Sequence, residues 1–381
     1  MSKSDLPELA EQYRPEFPIF RSASYLNSCS LGALSVRTRA ALGEFADLWD
    51  RWGASAWYEH WLNACEDVRA AFARLVGADV SETALAPSIS AALSSIVSAI
   101  DFGVRPKVVT TELDFPTLVY QFLARGADGV ETEVLRSPDG VSVPLESFDE
   151  AIDERTALVA TSHVYFTSGA IQDVAALARL AHERGALCLI DAYQSTGQLP
   201  VDARELGVDF LLSGALKWLL GGAGLAYAYV RGPLIEGLEP TAVSWFGVED
   251  QFAFDPRILK LRGDARRFEL GTPAVPTVYT ARAGLQLVEE AGIERIRRRV
   301  SSLTEDLLQR ALAAGFKVRS AADPEWRSGI VMVEHREPAA AVERLMGAGV
   351  IADHRPGAIR FSPHFYNTTE DNERAMEVLA A

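Results

Sequence analysis

The chain has 381 residues, room at roughly 100 to 200 residues per domain for two or three domains, and its 48% hydrophobic and 23% charged content is globular. That excludes a disordered chain and a disulfide-stapled miniprotein. The formal charge is −15, from 37 Lys and Arg against 52 Asp and Glu, so the summed field repels nucleic acid and anionic membranes while leaving room for a local positive pocket.

A polar arm over residues 1–20 leads into the turn-rich SASYLNSCSLGALS. Two amphipathic patterns then predict helices over Val36 to Trp52 and Trp57 to Leu75. Strand-like runs follow, alternating with helical patterns: KVVTT (107–111), TALVATS (156–162), LCLID (187–191), DFLLSG (209–214) and LAYAYV (225–230). Short β-rich runs separated by helical connections predict a mostly parallel α/β sheet. Near residue 260 the pattern changes. Helices are predicted over Pro273 to Glu290 and Ile293 to Ala314, then the strand GIVMVEH, a helix near Ala339 to Met346, the strand AIRFSP and a final helix. This order predicts an arm over 1–20, a large α/β domain over 21–260 and a smaller α+β domain over 261–381.

Cys29, Cys65 and Cys188 are too few and scattered for a disulfide framework, and the six histidines show no metal-binding spacing, so no metal is expected. The segment MSKSDLPELAEQYRPEF lacks a signal-peptide core, and no run approaches the ~18 apolar residues of a membrane span. The expectation is a cytoplasmic protein with a small-molecule partner and neither a membrane nor a nucleic acid partner.

Ligands of open α/β sheets bind beyond the carboxyl ends of strands. Two ionisable residues follow such ends: Asp191 closes LCLID, and Lys217 lies just past DFLLSG, before WLLGGAG. A lone lysine among apolar residues is commonly a snorkelling stem, and a lone strand-end Asp a turn former. Together they offer more. Apolar surroundings disfavour the ammonium and favour a nucleophilic amine, as Schiff-base chemistry requires. Pyridoxal phosphate enzymes need such a lysine and an acid facing the ring nitrogen.

From Thr161 to Gly224, through HVYFTSG, DAYQ and DFLLSGALKWLLGGAG, the chain resembles the class V aminotransferase superfamily. These are fold type I pyridoxal phosphate enzymes that include kynureninases, cysteine desulfurases and isopenicillin N epimerase-like proteins. YLNSCSLGALS, VVTTELDFPTLVYQF, SWFGVEDQF, RRFELGTPAVP and IRFSPHFYNTTED extend the resemblance through most of the chain. It implies a mostly parallel seven-stranded sheet, with pyridoxal 5'-phosphate as cofactor.

The resemblance makes Lys217 the Schiff-base lysine and proton shuttle, Asp191 the partner of the ring nitrogen, and Gln194 a donor to the phenolic oxygen. It stacks Phe115 on the ring and gives the phosphate to Ser88, Ile89, Ser90 and Ser213. Trp245 and Thr272 would reach it from a neighbouring subunit, implying a homodimer. His163 would line the cofactor site, Arg360 would fork the substrate's α-carboxylate, and Phe166 and Tyr193 would shape the substrate pocket.

Departures bear on the reaction. Persulfide-forming desulfurases need a cysteine in the C-terminal half, and none follows Cys188. Kynureninases typically have His at Gln194 and Tyr at Leu216, which counts against kynurenine itself as the substrate. Phe115, Phe166 and Tyr193 suit a bulky or aromatic side chain. The expectation is an enzyme acting on an α-amino acid through an aldimine and carbanion. Cβ cleavage, of C–S lyase or kynureninase type, is favoured over transamination or epimerisation. An inert binding protein on this scaffold would have lost Lys217 or Asp191. A nicotinamide dehydrogenase would show GxGxxG, which the GGAG at 221–224 does not.

Overall fold

The computed structural model describes residues 5–381. The chain opens with α1 (Asp5–Tyr13), β1 (Ser24–Tyr25), α2 (Val36–Trp52) and α3 (Leu62–Leu75). Residues 1–4 of the expected arm lie outside the described residues. The rest is no solvated tail: Leu9, Tyr13 and Phe17 are buried, and Arg14 pairs with Asp371 at 2.6 Å. The Ser35 side chain caps α2 by accepting from the Thr38 N–H. A π-helical turn over Trp57–Trp61 precedes α3, so the second predicted helix is a π turn running into an α-helix.

The central sheet comprises β2 (Thr83–Ala86), β3 (Lys107–Thr111), β4 (Glu131–Leu135), β5 (Thr156–Ser162), β6 (Leu187–Asp191), β7 (Phe210–Gly214) and β8 (Ala226–Val230). Its order is β2-β8-β7-β6-β5-β3-β4, with β4, β3, β5, β6 and β7 parallel and β8 antiparallel to both β7 and β2. Between the strands run α4 (Ile89–Val97), α5 (Pro116–Leu123), α6 (Leu145–Ala151) and α7 (Val174–Glu183), with the short α8 (Gly232–Ile235) after β8.

Side chains alternate across a strand, so consecutive apolar residues feed opposite faces. Val159, Ile190 and Leu211 join one buried cluster, while Leu158, Leu189, Phe210 and Leu212 join another. Coverage on both faces is why β5 to β7 read as unbroken apolar runs, each large side chain contributing ~1.5–3 kcal/mol by burial. A charge at any of these positions would enter a dry layer with no partner.

After the sheet, α9 (Val275–Ala291) packs along α2 and α3, and α10 (Ile293–Ala313) packs against α1 and β9 (Val331–Glu334). Next come α11 (Pro338–Gly347), β10 (Val350–Ile351), β11 (Asp353–Arg355), β12 (Ala358–Phe361) and α12 (Thr369–Ala380). The strands β11-β12-β9 form an antiparallel sheet, and β10 pairs with β1. The segment after β1 is tied to the end of β12 by the Ser362 N–H donating to the Leu26 carbonyl and the Ser28 N–H donating to the Ser362 carbonyl. The same segment reaches the central sheet, where the Gly32 N–H donates to the Leu216 carbonyl. A Cβ on Gly32 would sit 2.3 Å from the Lys217 carbonyl oxygen, so only glycine permits that approach. Among the described residues, no helix is long and apolar enough to cross a membrane.

Candidate active site

Asp191 ends β6 and Lys217 lies three residues past β7, so both emerge at the carboxyl edge of neighbouring parallel strands. They line one cavity of about 380 Å³. Lys217 Nζ lies 4.0 Å from the ring centroid of Tyr193 and 5.9 Å from that of Phe115. A Cβ on Gly214 would meet the Tyr193 ring at 2.6 Å, so the glycine lets that ring lie against the strand end. Three residues beyond the lysine, Leu220 holds a left-handed φ of 59°, a costly conformation for a branched side chain next to the lysine turn.

Burial lowers the Lys217 amine to about 8, against the nearby Asp191 charge, which raises it. Burial lifts the Asp191 carboxyl to about 6, although the Tyr193 N–H bonded to Oδ1 at 2.9 Å and the Lys217 charge both pull it down. Each group is brought near neutrality.

The Gln194 amide is partly committed: Nε2 donates to the Cys29 carbonyl at 3.0 Å, and Oε1 accepts from Trp218 Nε1 at 2.8 Å. A carboxamide nitrogen carries two hydrogens, so one N–H remains for the cavity that Gln194 lines. Ser88 caps α4, its hydroxyl accepting from the Ala91 N–H at 3.1 Å. With Ile89 and Ser90 it brings to the cavity a helix N-terminus whose first N–H groups have no helical partner. Phe115 precedes α5, is 46% exposed, and meets Phe166 edge to face at 5.2 Å. Its neighbour Asp114 is buried and accepts from Thr110, Thr111, Thr161 and the Ser162 N–H, tying β3 to β5 and setting the start of α5.

Arg360 on β12 reaches the same cavity from the C-terminal sheet and is 1% exposed. Its guanidinium is not free, because Nη2 donates to Asp353 Oδ2 at 2.9 Å. Ten expected residues thus line one cavity: Lys217, Asp191, Gln194, Phe115, Ser88, Ile89, Ser90, Phe166, Tyr193 and Arg360.

Four others do not line it. Ser213 is buried within β7, its hydroxyl bonded to that of Thr196. His163 is buried off the cavity, its ring held neutral by desolvation, which lowers its pKa to about 4. Trp245 and Thr272 border a second cavity with Trp57, Tyr58 and Phe252. Sequence reasoning passed over Ser30 and Arg355, which line the main cavity. The signal available for Arg355 was its place beside the Pro356-Gly357 turn of the hairpin that pairs it with Ala358 and Asp353 with Arg360.

The lining carries Lys217, Arg355 and Arg360 against the single carboxylate of Asp191, making a positive pocket in a protein of charge −15. A nucleophilic amine, a deep carboxylate, a helix N-terminus and an aromatic wall together fit a phosphorylated aromatic aldehyde.

Residues 51–374 match the family described as Aminotransferase class-V. The chain is 37% identical to an uncharacterized aminotransferase, YcbU, of Bacillus subtilis (strain 168), over 99% of each protein. It is 31% identical to a kynureninase of Geobacillus thermodenitrificans (strain NG80-2), over 99% of this chain and 92% of that protein. In fold it matches a solved structure of a K223A mutant of C-DES, in which glycine is covalently linked to the PLP cofactor. The TM-score is 0.89 at 20% identity, covering 96% of this chain and 98% of that one. The chain belongs to the class-V aminotransferase family and is a fold type I enzyme whose cofactor is pyridoxal phosphate.

Proposed function

We propose that this enzyme cleaves an α-amino acid with a bulky or aromatic side chain at Cβ, without an enzyme persulfide. The observation that carries this reading is the single cavity in which Lys217, Asp191 and Arg360 meet beneath Phe115, Phe166 and Tyr193. Identity to kynureninases along nearly the whole chain favours the Cβ outcome. Cys65 and Cys188 are buried, with thiols pushed up by burial, and neither lines the cavity.

Lys217 would hold the cofactor covalently, Asp191 would face its ring nitrogen, and Gln194 would offer its remaining N–H to the phenolic oxygen. The α4 N-terminus at Ser88–Ser90 would take the phosphate. Bound there, pyridoxal phosphate supplies an electron sink for the pair left at the substrate's α-carbon. Arg360 holds the α-carboxylate, a planar fork suited to that group. Once the substrate's amine has taken its place on the cofactor, the freed Nζ of Lys217 would take the α-proton and can return it, because burial lowers that amine to about 8. The ionised Asp191 keeps a negative charge opposite. Phe115, Phe166 and Tyr193 exclude water and receive the side chain.

The working form is a homodimer in which Trp245 and Thr272 serve the partner's phosphate. Exposed Trp245, Phe252, Phe254, Ile258 and Leu259 support this, since large apolar patches mark interfaces. Dilution should lower mass and cofactor retention together; a monomer by sedimentation that keeps its cofactor contradicts the dimer.

Incubating the purified holoenzyme with a panel of amino acids and analysing products by mass spectrometry tests the reaction. Cβ cleavage leaves a side-chain fragment together with either a shortened amino acid, for kynureninase-type chemistry, or a three-carbon 2-oxo acid and ammonia, for C–S lyase chemistry. A second reading, transamination, rests on the 37% identical relative named an aminotransferase and leaves an intact 2-oxo acid.

A further inference from the structure

The hairpin of β11 and β12 pairs Asp353 directly with Arg360. Asp353 and Arg355 are two residues apart on one strand and so share a face. Asp353 Oδ2 accepts three bonds: from Arg360 Nη2 at 2.9 Å, Arg355 Nη1 at 2.8 Å and Ser30 Oγ at 3.0 Å. Arg360 Nη2 also donates to Ser30 Oγ at 2.6 Å, and Nη1 donates to the Phe166 carbonyl at 3.2 Å. Nε is buried with no partner.

A guanidinium presents a carboxylate with two edges, Nε with Nη2 or Nη1 with Nη2. Both include Nη2, and both hydrogens of Nη2 are committed. A substrate carboxylate therefore gains two bonds only if Asp353 or Ser30 gives one up. Asp353 is the partner with somewhere to go, because the cavity-lining Arg355 already holds it.

We propose that Asp353 is an exchangeable internal ligand of Arg360. In the empty site it pairs a guanidinium that would otherwise be buried and uncompensated. When a substrate arrives, its α-carboxylate takes the Nη2 position and Asp353 stays with Arg355. Asp353 thereby competes with the substrate carboxylate for Arg360 and tempers how tightly the acid is held. A ligand with an amine and a side chain but no carboxylate cannot displace it and leaves Arg360 occupied. This rests on the proposal that Arg360 receives the carboxylate.

The test titrates holoenzyme with L-phenylalanine and with 2-phenylethylamine, its counterpart lacking the carboxylate, by calorimetry. Asp353→Asn keeps the shape but removes the competing charge, so it should bind L-phenylalanine roughly three- to ten-fold more tightly than wild type with the amine unaffected. Unchanged or weaker binding of L-phenylalanine overturns the exchange and leaves Asp353 a fixed support. Arg360→Ala separates this from failure of the underlying reading. It should abolish any preference for the acid over the amine; a preference that survives removes Arg360 as the carboxylate site, and the exchange with it. If Asp353→Asn does not fold, Asp353→Ser, which also removes the competing carboxylate, should act in the same direction, and no gain in affinity for L-phenylalanine overturns the proposal.

Discussion

The two ends of the cavity treat buried charge in opposite ways. At the central sheet, Lys217 and Asp191 emerge from neighbouring strands among aromatic rings, and burial moves their pKa values toward neutrality, to about 8 and about 6. At the C-terminal hairpin, Arg360 is just as deeply buried but has a carboxylate 2.9 Å away, itself bonded to a second arginine. Burial alone therefore does not decide whether a charged group is reactive. Lys217 and Asp191, with little local compensation, are moved toward neutral titration, whereas Arg360 is held in place by direct hydrogen bonds to Asp353 and Ser30.

Substitutions that remove one end at a time break this contrast most sharply. Lys217→Ala should lower turnover by ~10³-fold or more, since it removes the residue proposed as both covalent anchor and proton carrier. Borohydride reduction and peptide mapping of wild type should place the pyridoxyl group on Lys217, and a label on another lysine would refute that assignment. At the other end, Arg360→Lys should raise KM by roughly 10- to 100-fold through loss of a charge-assisted bond, with cofactor content unchanged in absorbance spectra. A parallel loss of cofactor would mean that the two ends are not separable.

A pH series sharpens the comparison. Capture of pyridoxal phosphate by cofactor-free protein needs the unprotonated amine, so its rate, followed by absorbance, should rise with pH and reach half its maximum near 8. An ordinary lysine would respond near 10.5. The stability of cofactor-free protein carries the same signature. Between about pH 8 and 10.5 the unfolded chain binds more protons at Lys217 than the folded one, so the lysine's contribution to stability rises with pH in that window. Asp191 acts in reverse: its contribution is fully present below pH 3.8 and is lost as pH rises through about 6. Denaturant titrations with Lys217→Met and Asp191→Asn should remove these two slopes separately.

The smallest effect is expected from the thiols. Replacing Cys29, Cys65 and Cys188 with Ala or Ser should change turnover of any accepted substrate by less than about threefold if the protein folds, since lost packing is then the whole effect. Cys29 lines the cavity, so this variant is a direct check. A variant that binds substrate and turns nothing over would make a thiol catalytic and refute the absence of a persulfide.

Much of the fold is legible in the chain because burial is periodic. The pattern over Val36 to Trp52 coincides with α2, and TALVATS and LCLID coincide with β5 and β6. The edge strands were not anticipated. β4 reads ETEVL, with three of its five residues exposed, so its charges hide a strand, and β2 is only TALA. β4 lacks the two-sided apolar cover that makes central strands visible, while β2 is buried on both faces but only four residues long, too short to show a pattern. The helix α9 lies beyond residue 260, where the smaller domain was expected to begin, yet packs on α2 and α3.

The sequence by itself determined the inner strands of the central sheet and placed Asp191 and Lys217 at their ends, because each adjoins a buried run whose periodicity is local, while the cofactor followed from family resemblance. Only the tertiary structure decided the state of Arg360. Its partners include Phe166 and Ser30, 194 and 330 residues away in the chain, and Asp353 is brought opposite it by a hairpin register. Which guanidinium hydrogens remain free is a property of that assembled packing, and spacing along the chain holds no record of it.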